Sequence, residues 1–587
     1  MATATVALFA LLPLLPAVLG GPVILQPIVQ RDATSLDSLC TASNLASIVS
    51  AFSDISAVTY DTSSVTANIV TNYTASPGTT APMFPTTAGN TFCNVTLSLK
   101  HDNLDDHVAM NFWLPAPESF SNRYLSNGGG GWSVSGANSL MSGLPFGAAS
   151  GATDGGFGSS GLTAALLMAG GNGTIAWSRW ESFSYQAIHE MTVTGKELTR
   201  AFYNVSATDL KSYYLGCSEG GREGHQSTQR YPKDFDGVMA GAPAMYWPVH
   251  QLAQGWPNIA MAQANHWPNP CAFNTIRSHY IAACDPLDGL TDGVISRSEL
   301  CTYDPSKSVG VAYANCSLSS GAPGATAVTY PAGTISQADA DVVKAIYKGG
   351  FTSAGDQLFW AYRPGTTLTV EAGVKYNAAN GTFSAGTSNF FGTYYTNMVL
   401  RTTASVTVPY DTITVDDVYD MMLEGLQQYG GWSESTWPDL SAFQANGGKM
   451  IHYHGEQDTN LFPEASAHFH EKVRAAMFPG AKDYTGINEF YRFYLVPGAA
   501  HCSINTAQPN GPWPQFGFAQ LIDWVENGVA PSYLNGTTET GTSIQSKICL
   551  WPTRPLWKKN STSSFDCVEA KAATTFIHPL NGWKVDY

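Results

Sequence analysis

The chain has 587 residues, of which 44% are apolar and 12% aromatic, enough for a large core and too much for a disordered chain. Only 13% are charged, about half the usual share for a soluble domain, and the formal net charge is −16. Nucleic acid and anionic membrane surfaces are recognised by clustered Lys and Arg, so this balance excludes both as expected partners.

In chain order, Val6 to Leu19 form an apolar run, followed by Gly20-Gly21. The run is shorter than the roughly 20 residues a spanning helix needs, and it holds Pro13 and Pro16. Residues 1–20 therefore read as a cleaved signal peptide. Eight N-x-S/T sequons fit export, at Asn72, Asn94, Asn172, Asn204, Asn315, Asn380, Asn535 and Asn560. The ten cysteines are even in number and form no C-x-x-C pair, which reads as disulfides and not as zinc or a redox motif. A secreted, extracellular protein is the expectation, and no feature of the chain indicates an oligomeric state.

Residues 30–95 are Ser/Thr-rich with weak periodicity, and a Cys40–Cys93 bridge would tie them down. From about residue 96, short apolar strands alternate with Gly-rich turns and helices, the pattern of a mostly parallel α/β sheet. Strands are predicted at 108–114, 124–125, 213–215, 237–240, 450–453 and 493–496. Residues 245–440 break this rhythm and read as an inserted lid domain, leaving 21–244 and 441–587 as the main domain. Inside the lid, Ser336 and Asp339 make a capping box, Val342, Val343, Ile346 and Tyr347 form an apolar stripe, and Gly349 ends the helix. Also in the lid, Asp285, Asp288 and Asp292 fall within eight residues and are separated by glycines. Such a loop suits a hard cation that collects six to eight oxygens, although Ser296 at the twelfth position rules out an EF-hand.

Three segments carry the chemistry. Gly216-Cys217-Ser218-Glu219-Gly220 is a G-x-S-x-G between a strand and a helix, where glycines relieve a crowded, strained turn. The turn lifts the Ser218 hydroxyl above the sheet and sets the Glu219 N–H at a helix N-terminus, ready for an oxyanion. Four glycines, Gly128 to Gly131, follow a predicted strand and resemble the Gly-rich oxyanion loop of lipases; Gly129 stands for that loop as the second expected donor. A strand at 450–453 runs into a turn bearing Glu456 and Asp458, either of which could orient a histidine. His501 lies just past the last predicted strand. Cys217 precedes Ser218 and Cys502 follows His501. Joining the two cysteines would hold the Ser218 and His501 backbones within roughly 13 Å. The order Ser, Asp, His is that of α/β-hydrolases.

Cys217-Ser218, Asp458 and His501-Cys502 together resemble the arrangement of the fungal tannase/feruloyl esterase family. The similarity extends to Ala187-Ile188-His189-Glu190-Met191-Thr192, to the run from Gln229 to Ala244, to Ile522-Asp523-Trp524, and to Arg554-Pro555-Leu556-Trp557 near the end. It implies an α/β-hydrolase fold with a large inserted lid and a serine esterase using Ser218, Asp458 and His501, with Asp458 preferred to Glu456. It also implies a structural calcium ion on the side chains of Asp285, Asp288 and Asp292 and the carbonyls of Leu290 and Val294, and no organic cofactor. The expected substrate is a small or polymeric phenolic ester. Galloyl esters are the first reading and feruloyl esters of plant cell walls the second; a non-catalytic phenolic-binding protein is the alternative outside enzymes. Local spacing adds Cys271–Cys284, Cys301–Cys316 and Cys549–Cys567 as expected bridges.

Overall fold

The computed structural model describes residues 35–570 apart from 79–80, 82, 136, 157–173, 319–326, 387–391, 393–394, 401–411, 538–546 and 560. The expected signal peptide, Asn172 and Asn560 lie outside the described residues.

A nine-stranded sheet organises the chain. Its strands are β1 (Val58–Ala75), β2 (Thr87–His101), β3 (Val108–Pro115), β4 (Arg123–Asn127), β5 (Ala148–Thr153), β6 (Lys211–Cys217), β7 (Gly237–Gly241), β8 (Lys449–Gly455) and β9 (Tyr491–Val496). They lie in the order β1-β2-β3-β5-β4-β6-β7-β8-β9. From β5 to β9 every neighbouring pair is parallel, whereas β1-β2, β2-β3 and β3-β5 are antiparallel. Each of the six predicted strands is present. The mostly parallel sheet becomes a mixed one, because the Ser/Thr-rich stretch that showed little periodicity forms β1 and much of β2, the two longest strands. Of the 18 residues of β1 only Val65 and Ala75 are buried. An edge strand wetted on both faces leaves no apolar alternation to read, and its Thr and Val residues supply only propensity.

The helices that bear on the site are α1 (Ala187–Tyr203), α2 (Glu219–Arg230), α3 (Trp247–Ala253), α4 (Pro270–Cys284), α5 (Gln337–Lys348), α6 (Val415–Ser433) and α7 (Gly517–Asn527). Alternate residues of the central strands enter different cores, as the two-residue period of a strand requires. Tyr214, Val238 and Met450 pack with Ile188, Met191 and Leu198 of α1. Their neighbours Tyr213, Met239 and Ile451 pack with Phe518, Leu521 and Trp524 of α7. Helices thus cover both faces of the sheet. Residues 245–440 add no strand to it; their described residues hold α3 to α6 and three two-stranded ribbons. In α5 the capping box is present: the Asp339 N–H donates to Ser336 Oγ at 3.1 Å and the Ser336 N–H to Asp339 Oδ2 at 2.8 Å, and Gly349 ends the helix at φ 88°.

Five disulfides join Cys40–Cys93, Cys217–Cys502, Cys271–Cys316, Cys284–Cys301 and Cys549–Cys567. The expected pairs Cys271–Cys284 and Cys301–Cys316 are therefore corrected. Cys271 and Cys284 stand near opposite ends of one helix, α4. At 1.5 Å per residue they are roughly 20 Å apart, far beyond the ~7 Å that a disulfide spans between Cα atoms. Each instead takes a partner from the chain that folds back beside its own end of the helix.

Candidate active site

Ser218 occupies the junction of β6 and α2 with φ 64° and ψ −119°, a conformation that costs a non-glycine residue about 1–3 kcal/mol. The turn is held from three sides. Ser218 N–H donates to Gly241 O at 2.9 Å, and Ser218 O accepts from Arg222 N at 3.0 Å and Ala244 N at 3.2 Å. Glycine is required next to it: a Cβ on Gly216 would lie 2.6 Å from Gly220 O, and one on Gly220 would lie 2.9 Å from Gly129 O. The sharp turn presents the hydroxyl at the carboxyl end of β6, in the middle of the sheet.

The acid and the histidine follow the next two strands, Asp458 after β8 and His501 after β9. Ser218 Oγ lies 2.9 Å from His501 Nε2, and His501 Nδ1 lies 2.8 Å from Asp458 Oδ2. The partners assign the tautomer: Nδ1–H donates to the carboxylate, and Nε2 accepts from the serine hydroxyl. Asp458 is buried, and its Oδ1 accepts the N–H groups of Asn460 and Leu461 at 2.8 Å each. Its Oδ2 also accepts from His454 Nε2 at 3.1 Å, while His454 Nδ1 faces Ser466 Oγ at 2.7 Å. Burial alone would raise the Asp458 pKa. The His501 charge and the hydrogen bonds from His454 and His501 outweigh burial and hold the carboxyl far below its usual range. Asp458 is thus an anion at any working pH.

Glu456, the other acid of this turn, is engaged elsewhere. It is fully buried, accepts from Arg363 Nη1 at 3.0 Å, and bonds Arg554 and Ser298. This network joins the β8 turn to the inserted segment and to the C-terminal strand at Thr553–Trp557. The Cys217–Cys502 bridge sits against the site, with Cα atoms 6.0 Å apart and a sulfur 3.7 Å from His501 Nε2. It binds the residue before the serine to the residue after the histidine.

The N–H groups around the serine are unequally free. Glu219 is the first residue of α2, so its N–H has no intrahelical acceptor. Its side chain turns inward to pair with Arg222, and both are buried. In the glycine loop, Gly128 N–H donates to Leu215 O at 3.0 Å and Gly130 N–H to Ser133 O at 3.1 Å. Gly129 N–H donates to Glu223 Oε2 at 3.0 Å. The expectation that Gly129 is the second oxyanion donor is corrected for this reason: a buried carboxyl of α2 takes that hydrogen. The N–H groups of Gly131 and Trp132 have no acceptor among the described residues. Glu223, Tyr214 and His454 are polar groups of the site that sequence reasoning missed. Only their nearness in the chain to Ser218 or Asp458 hinted at them.

The acidic loop lies between the partners of the Cys284–Cys301 bridge. Asp285 accepts the N–H groups of Asp292 and Gly293, Asp288 that of Leu290, and Asp292 that of Val294. Asp288 Oδ2 and Asp292 Oδ2 are buried without a hydrogen-bond partner. Burial raises the Asp288 pKa to about 6; burial together with the charges of Asp285 and Asp288 raises that of Asp292 to about 7. Among the described residues no three acidic, imidazole or thiol side chains converge as a metal cluster, so carbonyl oxygens would have to contribute to a cation site here.

A sheet covered by helices on both faces, with a serine elbow after β6, an acid after β8 and a histidine after β9, defines the α/β-hydrolase class. Comparison with known proteins narrows the class. A sequence profile described as "Tannase and feruloyl esterase" matches residues 93–572, and the chain belongs to that family. It is 34% identical over 582 residues to a tannase of Aspergillus oryzae, covering 94% of this chain and 97% of the relative. It is 32% identical over 488 residues to a probable feruloyl esterase of Arthroderma benhamiae, covering 81% and 86%. Among solved structures it is similar to the tannin acyl hydrolase of Aspergillus niger, with TM-score 0.84 and 37% identity over 92% of this chain and 97% of the other. The corresponding values for feruloyl esterase B of Aspergillus oryzae are 0.67 and 26%, over 89% and 100%.

Proposed function

We propose that this protein is a serine carboxylesterase that cleaves galloyl esters of tannins, with Ser218 as nucleophile, His501 as general base and acid, and Asp458 as the group that orients and stabilises His501. The continuous chain of hydrogen bonds from Ser218 Oγ to His501 to Asp458 is the observation that carries this reading. His501 Nε2 takes the hydroxyl proton as Oγ attacks the ester carbonyl, and the same proton then passes to the leaving alcohol. Asp458 stabilises the imidazolium formed between these steps. Water then attacks the acyl-serine under the same base and releases the acid. The oxyanion is held by the N–H of Glu219 and by a free amide of the glycine loop, that of Gly131 or Trp132.

The greater and more complete likeness to the two tannin-hydrolysing relatives supports galloyl over feruloyl esters. A pocket that hydrogen-bonds the three galloyl hydroxyls leaves buried partners unpaired with an analogue lacking them, and so rejects it. The test compares kcat/KM on methyl gallate and methyl ferulate under one set of conditions. Gallate is expected to lead by at least about tenfold, worth roughly 1.4 kcal/mol of transition-state binding. A tenfold lead for ferulate would overturn the substrate and leave the triad untouched.

A structural calcium ion fits the acidic loop. Asp285, Asp288 and Asp292 would hold it with the carbonyls of Leu290 and Val294, which would give the two orphaned buried oxygens a partner. The ion would brace the loop and take no part in the chemistry. Removing calcium with a chelator should lower Tm, with loss of about 2.7 kcal/mol relative to calcium at a hundredfold excess over Kd, and added calcium should restore it. An unchanged melting curve would remove the ion from this loop.

Five disulfides support passage through an oxidising compartment, and the reading as a secreted glycoprotein follows from them and from the sequons. Asn72, Asn204, Asn315 and Asn380 are exposed, as acceptor asparagines must be. No helix among the described residues is long and apolar enough to cross a membrane.

A further inference from the structure

A closed ring of polar contacts underlies the serine elbow and has no part in the triad. Glu223, buried in the second turn of α2, makes two polar contacts on Oε2: it accepts the Gly129 N–H at 3.0 Å and lies 2.9 Å from the Tyr214 hydroxyl. The same hydroxyl lies 2.6 Å from Gly220 O, and Gly220 N–H donates to Gly129 O at 3.1 Å. The ring runs Gly129, Gly220, Tyr214, Glu223 and back to Gly129. One member, Gly129, belongs to the glycine loop, and the other three to the strand and helix that flank Ser218. The parts are pressed together: a Cβ on Gly128 would lie 2.1 Å from the Tyr214 hydroxyl and 2.9 Å from Glu223 Oε2.

We propose that Glu223 is a positioning residue for the oxyanion loop: its carboxyl oxygen pins Gly129 and so fixes where the free amides of Gly131 and Trp132 stand relative to Ser218. The inference rests on the esterase reading above. A buried carboxyl is costly unless its bonds are needed, and here two polar contacts converge on one oxygen. Burial and the charge of Glu219 push the Glu223 pKa well above the usual range, which favours the neutral acid. Neutrality suits the position, because a buried anion beside the loop would repel the oxyanion that the loop has to stabilise. Glutamine, which keeps one carbonyl oxygen and no charge, should therefore replace it, and leucine should not.

The experiment uses Glu223→Gln, Glu223→Leu and Glu223→Asp in the full-length protein. Active sites are counted by the endpoint of labelling with a fluorophosphonate, so that kcat is expressed per reactive serine and misfolded molecules do not count. For Glu223→Leu, kcat per labelled site on methyl gallate should fall roughly 10²-fold, the loss typical of a misplaced oxyanion donor. KM should stay within about threefold, because the ground state is untouched. Glu223→Gln should keep both constants within about threefold of wild type. Should the leucine variant fail to accumulate, Glu223→Asp, which draws the acceptor back by one methylene, carries the same test with a smaller loss of kcat. A variant without the acceptor that turns over normally per labelled site would overturn the proposal, and so would Glu223→Gln as damaged as Glu223→Leu. Failure of the wild-type protein to label at Ser218 would instead overturn the esterase reading, a separate result.

Discussion

Ser218→Ala should lower kcat on a phenolic ester by about four to six orders of magnitude while leaving the melting curve in place. The expectation is this large because Oγ forms the covalent bond, and nothing else at the elbow can replace it. The fold should be indifferent, since among the described residues Oγ hydrogen-bonds His501 alone. Retention of more than about a hundredth of the wild-type rate would remove Ser218 from the nucleophile's role. Asp458→Asn should lose about 10⁴-fold, because an amide can donate to His501 Nδ1 and so favour the wrong tautomer. Glu456→Gln, two residues earlier, is the control. It should keep kcat within a few-fold, yet unfold more easily by about 3–5 kcal/mol, because it takes the carboxylate from buried Arg554 and one of two from Arg363, which keeps Glu464. Activity and stability measured on these three variants separate the acid that serves His501 from the acid that holds the structure.

The second large effect concerns the disulfide beside the triad. Replacing Cys217 and Cys502 together by alanine opens a loop of 285 residues, for which chain entropy alone predicts a loss of about 5 kcal/mol. Because the bridge also sets the distance between the Ser218 and His501 backbones, kcat should fall with it by at least about tenfold, as a misaligned base requires. Replacing Cys549 and Cys567, which close a loop of only 18 residues in the C-terminal region, should lower Tm and leave kcat alone. Equal kcat in wild type and in the Cys217/Cys502 double variant, read at a temperature where both are folded, would reduce the bridge to a staple.

How far the chain could be read depended on how local each interaction is. The elbow was legible because the first of its glycines answers a clash within five residues: a Cβ on Gly216 would meet the backbone of Gly220. The α5 capping box was legible for the same reason, since both of its bonds span three residues. The buried strands β3, β6, β7, β8 and β9 announced themselves by apolar runs. The pairing of Cys217 with Cys502 could be argued from covalent reach, because each cysteine touches a residue with chemistry of its own.

Everything decided by packing stayed out of reach. Glu456 and Asp458 stand two residues apart in one turn. Only the fold turns the first toward Arg363 and Arg554 and the second toward His501. The Cys271 and Cys284 spacing looked suitable until α4 placed them at opposite ends of a rigid rod. Gly129 looked like an oxyanion donor until a carboxyl 94 residues away took its hydrogen. The amino-acid sequence by itself determined the class of fold, the order of the triad and the strain at its nucleophile, since these follow from backbone sterics and nearest-neighbour chemistry. Which donor meets which acceptor was decided by the tertiary structure, because a hydrogen bond needs its partners within about 3 Å and only the packed sheet brings such distant segments that close.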